Sequence, residues 1–143
     1  MKYEQLLLKN QLCFPFYAAS KEVIKRYKPY LDEVGITYTQ YITMMVLWEK
    51  NNITVKEIGE HLYLDSGTMT PLIKKLEKND LIIRERDKSD ERKVIVSLTK
   101  KGLELQEKVK HIPSEIGKCI NLSGDEMKTL YKLVYKVLED VRD

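Results

Sequence analysis

In the stretch QLCFPFY, residues 11–17, Cys13 stands among three aromatic side chains, Phe14, Phe16 and Tyr17. A cysteine here has two uses. It can be a small, inert packing residue, as many cysteines are. Once ionised, it is instead a nucleophile that an oxidant converts to sulfenic acid. Pro15 bears on the choice. Proline costs little in the first turn of a helix, where the N–H groups lack partners anyway. A helix starting near Leu12 therefore sets Cys13 at its N-terminus, where the helix dipole favours a thiolate. Hydroxyl donors would hold that thiolate further. Tyr17 lies one turn on, Tyr27 lies at the far end of the same helix, and Tyr38 and Tyr41 flank the next cap. Fourteen residues of helix span ~21 Å, so Tyr27 cannot reach Cys13 within one chain. It could do so between antiparallel first helices of two chains.

A second set of residues could read a nucleic acid. In DSGTMTPLIKKLEK the small polar Ser66, Thr68 and Thr70 open a helix, with Met69 placed to meet a thymine methyl and Lys74 and Lys75 to meet phosphate. The alternative is that Lys74, Lys75 and Lys78 form only a solvated face. Further on, DKSDER offers Lys88 and Arg92 at a hairpin tip, with Arg84 and Arg86 at its base and Asp90 beside Arg92. Cations on a thin hairpin suit the minor groove, where the potential is most negative.

The elements that must position these groups follow from caps and periodicity. The first helix should run from about Leu12 to Lys28, stop before Pro29, and bury Phe16, Ala19, Val23 and Tyr27. Leu6 to Gln11 reads as a short helical turn or an arm. Thr37 with Gln40 has capping-box spacing and opens a helix burying Ile42, Met45, Val46 and Trp48. Thr54 with Glu57 opens a short helix to Leu62. Asp65 or Ser66 caps another, through Met69, Leu72, Ile73 and Leu76 to about Asn79. Two short helices so joined form a helix-turn-helix. LIIRER and KVIVSL then read as a β-hairpin, a wing, in which Val94, Val96 and Leu98 alternate. Thr99 caps a long helix, interrupted or kinked near Pro113. Ser123 with Glu126 caps the last helix, whose stripe is Met127, Leu130, Tyr131, Val134, Val137, Leu138 and Val141.

The expected fold is thus mainly α with a small β-wing: a winged helix-turn-helix of six helices and a β-hairpin. Residues 1–143 make one subunit. Residues 37–98 form the DNA-binding part, and 1–36 and 99–143 the dimerisation part. The terminal helices either pair with a second copy, as a two-fold homodimer, or fold back on the central part; their wide apolar stripes favour the homodimer.

Bulk properties narrow the classes. The 143 residues carry a net charge of +3, with 33% charged and 43% hydrophobic residues, six glycines and four prolines. That mix favours helix. No apolar run reaches the ~18 residues of a membrane span and no signal-peptide layout is present, so the cytoplasm is expected. Two cysteines, Cys13 and Cys119, make no disulfide framework. His61 and His111 have no partners at metal-ligand spacing, and neither a metal nor a cofactor is implied. The charge alone is a weak pointer to nucleic acid.

LDSGTMTPLIKKLEKNDLIIRERDKSDERKVIVSLTKKG, in this order of elements, resembles the MarR family of winged-helix transcription regulators. NQLCFPFYAASKEVIKRYKPYLDEVGITYTQY narrows the likeness to the organic-hydroperoxide-sensing repressors (OhrR) and the related staphylococcal thiol-switch regulators. It covers about Gln5 to Leu138, and Pro15 departs from the motif. The resemblance implies a DNA-binding regulator, a repressor, and no enzyme. It implies that Tyr27 and Tyr38 of one subunit hydrogen-bond to Cys13 of the other, with Tyr17 nearby. The dimer would hold a pseudo-palindromic operator in double-stranded DNA and release it when an organic hydroperoxide oxidises Cys13. Aromatic walls suit the alkyl part of that oxidant. Asp90 and Arg92 would brace the wing, or Arg92 would meet DNA. The oxidised Cys13 would condense with a low-molecular-weight thiol or with Cys119, if Cys119 is not simply a small apolar residue beside Ile116 and Ile120. The alternatives are a regulator answering a phenolic ligand or a broader virulence and oxidative-stress regulator. A thiol peroxidase would need a different fold, and a winged helix that binds only protein would lack salt-sensitive DNA binding.

Overall fold

The computed structural model describes residues 2–142. They divide into two compact units, Met1–Ile112 and Pro113–Asp143. Chain order is α1 (Cys13–Asp32), α2 (Tyr38–Glu49), β1 (Ile53–Thr54), α3 (Val55–Leu62), α4 (Ser66–Lys78), β2 (Ile82–Arg86), β3 (Val94–Leu98), α5 (Lys100–Val109), α6 (Ile112–Gly117) and α7 (Gly124–Val141). Two 3-10 turns, Glu4–Leu6 and Leu8–Asn10, precede α1. The six expected helices are present. The long helix expected after Thr99 is divided into α5 and the short α6.

The helix starts follow side-chain chemistry. Thr37 and Gln40 make a complete capping box, as do Ser123 and Glu126. Thr54 accepts from the Glu57 N–H at 3.0 Å, Asp65 from that of Thr68 at 2.8 Å, and Thr99 from that of Gly102 at 3.0 Å. Each cap satisfies a backbone donor that the helix itself leaves unpaired.

α1 does not stop before Pro29. It runs on to Asp32, with Pro29 inside it. The proline takes one N–H out of the ladder on an exposed face, while Leu31, 2% exposed, holds the last turn in the core. Gly35, at φ 72°, then turns the chain in the left-handed conformation that suits glycine. The buried face of α2 also differs from expectation. Tyr41, Met44 and Leu47 are buried, Ile42, Val46 and Trp48 are half-buried, and Met45 is exposed. This helix is apolar nearly all round, so periodicity alone does not choose its inner face.

The core of the first unit is built from α2, α3, α4 and the sheet: Met44, Leu47, Ile58, Met69, Ile73, Leu76 and Val96 are at most 1% exposed. The sheet is antiparallel, in the order β1-β3-β2. β2 and β3 pair from Ile82↔Leu98 to Arg86↔Val94, and the two-residue β1 adds Ile53↔Val96 and Thr54↔Ile95 on the other side. Of the alternating trio expected on β3, Val96 is buried and Val94 and Leu98 are half-buried.

A joint ties the end of α4 to the start of α5. Thr99 N–H donates to the Leu81 carbonyl at 3.2 Å, Thr99 Oγ1 to the Asp80 carbonyl at 2.5 Å, and Lys101 Nζ to the Asn79 carbonyl at 2.9 Å. From α2, Trp48 Nε1–H reaches the Gly102 carbonyl at 2.9 Å. Gly102 lies so near the Leu81 backbone that a side chain there would overlap the Leu81 carbonyl oxygen.

In the second unit, α7 presents its stripe to solvent. Leu130, Tyr131, Val134, Val137 and Val141 are all at least 41% exposed. The N-terminal half of α1 does the same: Leu12, Phe14, Phe16 and Tyr17 are exposed, as is Ala19, and Val23 and Tyr27 are half-buried. So Phe16 and Ala19, expected to be buried, are exposed, with Phe16 keeping 45% of its surface open.

Candidate redox and nucleic-acid sites

Cys13 is the first residue of α1, a free and exposed thiol. Leu12, before it, offers no side-chain cap. The first-turn amides therefore lie open beside the sulfur, and Pro15 sits in that turn as the sequence requires. Tyr17 is 60% exposed, with Lys21 Nζ 5.4 Å from its ring centre.

The other phenols gather at the far end of α1. The rings of Tyr27 and Tyr38 meet edge to face, 4.8 Å apart. Tyr41 joins them, 5.9 Å from Tyr27 and 6.4 Å from Tyr38. Burial raises the pKa of all three, and the neighbouring Tyr27 adds to the effect on Tyr38 and Tyr41; that of Tyr41 reaches about 12. They are therefore hydrogen-bond donors at neutral pH and carry no charge that would repel an anion. Tyr41, three places after Tyr38, shares its helix face and so joins the cluster. Within one chain, the fourteen residues of helix from Cys13 to Tyr27 span ~21 Å, so sulfur and phenols are held apart.

Cys119 follows α6 and is also a free, exposed thiol, with its sulfur 3.7 Å from the Glu115 carbonyl. Of its apolar neighbours, Ile116 is buried and Ile120 half-buried.

In the helix-turn-helix, α4 follows α3 across a tight turn made by Tyr63 in the left-handed region, at φ 56°. Ser66, Thr68 and Thr70 are exposed at the start of α4, and Lys74 and Lys75 further along it. Thr70 Oγ1 is engaged with the Ser66 carbonyl at 2.9 Å. Met69 does not belong to this surface. It is 1% exposed and packs against Gly59, where an added Cβ would lie 3.2 Å from its Cγ. The residue faces inward because α3 comes close at Gly59, so a reach to a thymine methyl is ruled out.

The wing cations split into two kinds. Arg84 grips Glu77 with two bonds, Nε to Oε2 at 3.1 Å and Nη2 to Oε1 at 3.0 Å. Arg86 Nη1 donates to the Glu91 carbonyl at 2.7 Å. The first ties the wing to α4, and the second ties the wing to itself. Lys88 and Arg92 point outward. Arg92 is 91% exposed at its side chain although its Nε and N–H both bond Asp90 Oδ1, at 3.2 and 3.1 Å. The Asp90–Arg92 pair thus braces the tip and leaves the outer edge of the guanidinium free. Asp87 caps Ser89 in the same loop, through the backbone N–H at 3.0 Å and the hydroxyl at 2.8 Å.

A cleft of about 390 Å³ lies elsewhere in the first unit. Its lining includes Glu33, Glu104, Lys101 and Lys108. Val34, Ile36, Leu81 and Leu105 line it as well, so its walls mix charged and apolar groups. Among the described residues, no three His, Cys, Asp or Glu side chains are grouped to hold a metal, and no helix is long and apolar enough to cross a membrane.

Comparison with known proteins adds to this geometry. The family described as transcriptional regulator SarA/Rot matches residues 25–109. The organic hydroperoxide resistance transcriptional regulator of Bacillus subtilis is 48% identical over 138 residues, covering 96% of this chain and 94% of that protein. The structure of reduced AbfR bound to DNA, a Staphylococcus epidermidis protein, is similar at TM-score 0.82 and 39% identity, covering 99% of both chains. Disulfide-formed AbfR, at the same identity, is similar at TM-score 0.66, covering 99% of this chain and 96% of that one.

Proposed function

Since this chain belongs to the MarR family of winged-helix transcription regulators, in the branch that holds organic-hydroperoxide-resistance regulators, we propose that it is a cytoplasmic repressor that senses such oxidants through Cys13. The observation that carries the reading is the placing of one thiol and a phenol cluster at opposite ends of one helix. Two copies of α1 laid antiparallel bring Cys13 of one against Tyr27 and Tyr38 of the other, with Tyr17 beside them. The same pairing covers the exposed Phe14 and Phe16, and α7 against its copy covers the second stripe. The homodimer then presents two α4 helices to successive major grooves of a pseudo-palindromic operator, with Ser66, Thr68 and Thr70 at base edges. Lys74 and Lys75 meet phosphate, and Lys88 and Arg92 enter the flanking minor groove.

The chemistry runs in two steps. The Cys13 thiolate attacks the O–O bond of an organic hydroperoxide, which leaves as an alcohol once the departing oxygen takes a proton, and the sulfur becomes sulfenic acid. A thiol then displaces water from the sulfenic acid and closes a disulfide. The exposed Cys119 or a low-molecular-weight thiol can supply it. An adduct in a packed interface cannot be absorbed by small adjustments, so the spacing of the two α4 helices changes and DNA is released.

The test is a gel shift on DNA upstream of the chain's own gene, with and without cumene hydroperoxide. The unaltered protein should bind and then let go. Cys13→Ser should bind and stay bound. Release of that variant by the hydroperoxide would refute the sensor role.

A further inference from the structure

Along β2, the side chains of Ile82, Arg84 and Arg86 share one face and meet three different things. Ile82, 2% exposed, enters the core; Arg84 grips Glu77; Arg86 meets the Glu91 carbonyl at the tip. Glu77 lies in the last turn of α4, so the middle contact joins the recognition helix to the wing. We propose that the Glu77–Arg84 pair is a positioning clamp. It sets the angle between α4 and the wing, and thereby operator discrimination, without either side chain touching DNA.

Three observations support this. The pair is joined by two nearly parallel N–H···O bonds, which fix orientation as well as distance, as a lysine would not. Both side chains are about one-third exposed, 33% for Arg84 and 38% for Glu77. Solvent screens the attraction of a pair this exposed, and it is the two-bond geometry that sets the angle. The third observation is leverage. β2 runs past Arg84 to Arg86 before the chain bends at residues 88–89, so at ~3.3 Å per residue the arm from the clamp to the bend is about 13 Å. A swing of about 10° at the clamp would move the tip by about 2 Å, a third of the ~6 Å width of the minor groove.

The proposal rests on the DNA-binding reading above and separates from it in one experiment. The unaltered protein selects a duplex from a random library; failure at that step sinks the DNA-binding reading. Glu77→Ala, the gentler Glu77→Gln, Arg84→Ala and the double variant are then compared on that duplex and on an unrelated one, across salt concentrations. A clamp predicts that Glu77→Ala and Arg84→Ala each cut the ratio of the two affinities by about tenfold, with Glu77→Gln between them and the parent. The double variant should be no worse than either single one. The salt dependence should keep the parent's slope. If Arg84 instead contacts phosphate, freeing it from Glu77 leaves the ratio unchanged and raises affinity, and Arg84→Ala lowers the slope by about one. Either result overturns the clamp. Amide exchange without DNA gives an independent reading. Wing amides of Arg86 and Val94 should exchange several-fold faster in Glu77→Ala, and unchanged exchange there would also overturn it.

Discussion

Replacing Gly102 with alanine adds a single methyl group at the joint between α4 and α5. That methyl would overlap the Leu81 carbonyl oxygen, and would lie 3.1 Å from the Leu81 carbonyl carbon and 3.3 Å from Leu98 Cδ2. The obstructing oxygen is backbone, fixed by the Thr99 N–H at 3.2 Å, so no side chain can swing aside. The start of α5 must retreat by about an ångström to restore ordinary contact distances. A retreat of that size breaks the Thr99 to Leu81 bond and strains that from Trp48 to the Gly102 carbonyl, now 2.9 Å. One or two such bonds are worth ~0.5–1.5 kcal/mol each. Overpacking costs a further ~1–3 kcal/mol. Against this, alanine is the better helix former by ~1 kcal/mol. The net expectation is a loss of ~2–3 kcal/mol, or a Tm lower by about 6–15 °C for a chain of this size. The assay is thermal and urea unfolding followed by circular dichroism at equal protein concentration. A Tm equal to or above the parent's would refute the reasoning, since propensity alone predicts a stabilised helix.

Further outcomes follow from the sites. Tyr27→Phe should slow formation of sulfenic acid on Cys13 at neutral pH, followed by trapping with a dimedone probe; an unchanged rate would remove the phenol from the thiolate's support. Arg92→Ala should weaken DNA binding and lower its salt slope by about one, while leaving the melting curve in place. Unaltered affinity would take the wing tip out of the contact. The tyrosine cluster predicts a loss of stability at alkaline pH. Its folded-state pKa values lie above that of an unfolded tyrosine, about 12 against 10.0 for Tyr41. The stabilising difference is therefore present in full below pH 10 and disappears as pH rises from 10 towards 12. Urea midpoints between pH 9 and 11.5 should fall more steeply for the parent than for Tyr41→Phe; parallel curves would contradict the assignment.

Much of this architecture was legible in the sequence because it is local. The caps at Thr37, Thr54, Asp65, Thr99 and Ser123 need only a hydroxyl or carboxylate and an amide three residues on, so spacing reveals them. What failed to show depends on distant neighbours. Met69 looked like a base reader from its place early in α4, but Gly59 on α3 gives it a slot in the core. The pairing of Arg84 with Glu77, seven residues earlier on α4, needs the helix and the strand to be set side by side, which no spacing rule reveals. α2 offered two apolar faces, and only packing chose between them. β1, two residues long, carried no periodicity, and it exists because β3 pairs with it. At the redox site the thiol's place at a helix start follows from Pro15, while the packing of Tyr27, Tyr38 and Tyr41 into one cluster needs the fold, because its rings come from both α1 and α2.

Trp48 is the chain's single tryptophan, and it lies on the joint between α2 and α5. Indole emission shifts to longer wavelength as the ring gains contact with water, so the protein carries its own unlabelled optical gauge at that joint. Mixing with an oxidant in a stopped-flow fluorimeter would time any rearrangement there directly, with no dye and no added chromophore. Excited at the red edge of the indole band, past the absorption of the nine tyrosines, the emission would come from one known place in the fold.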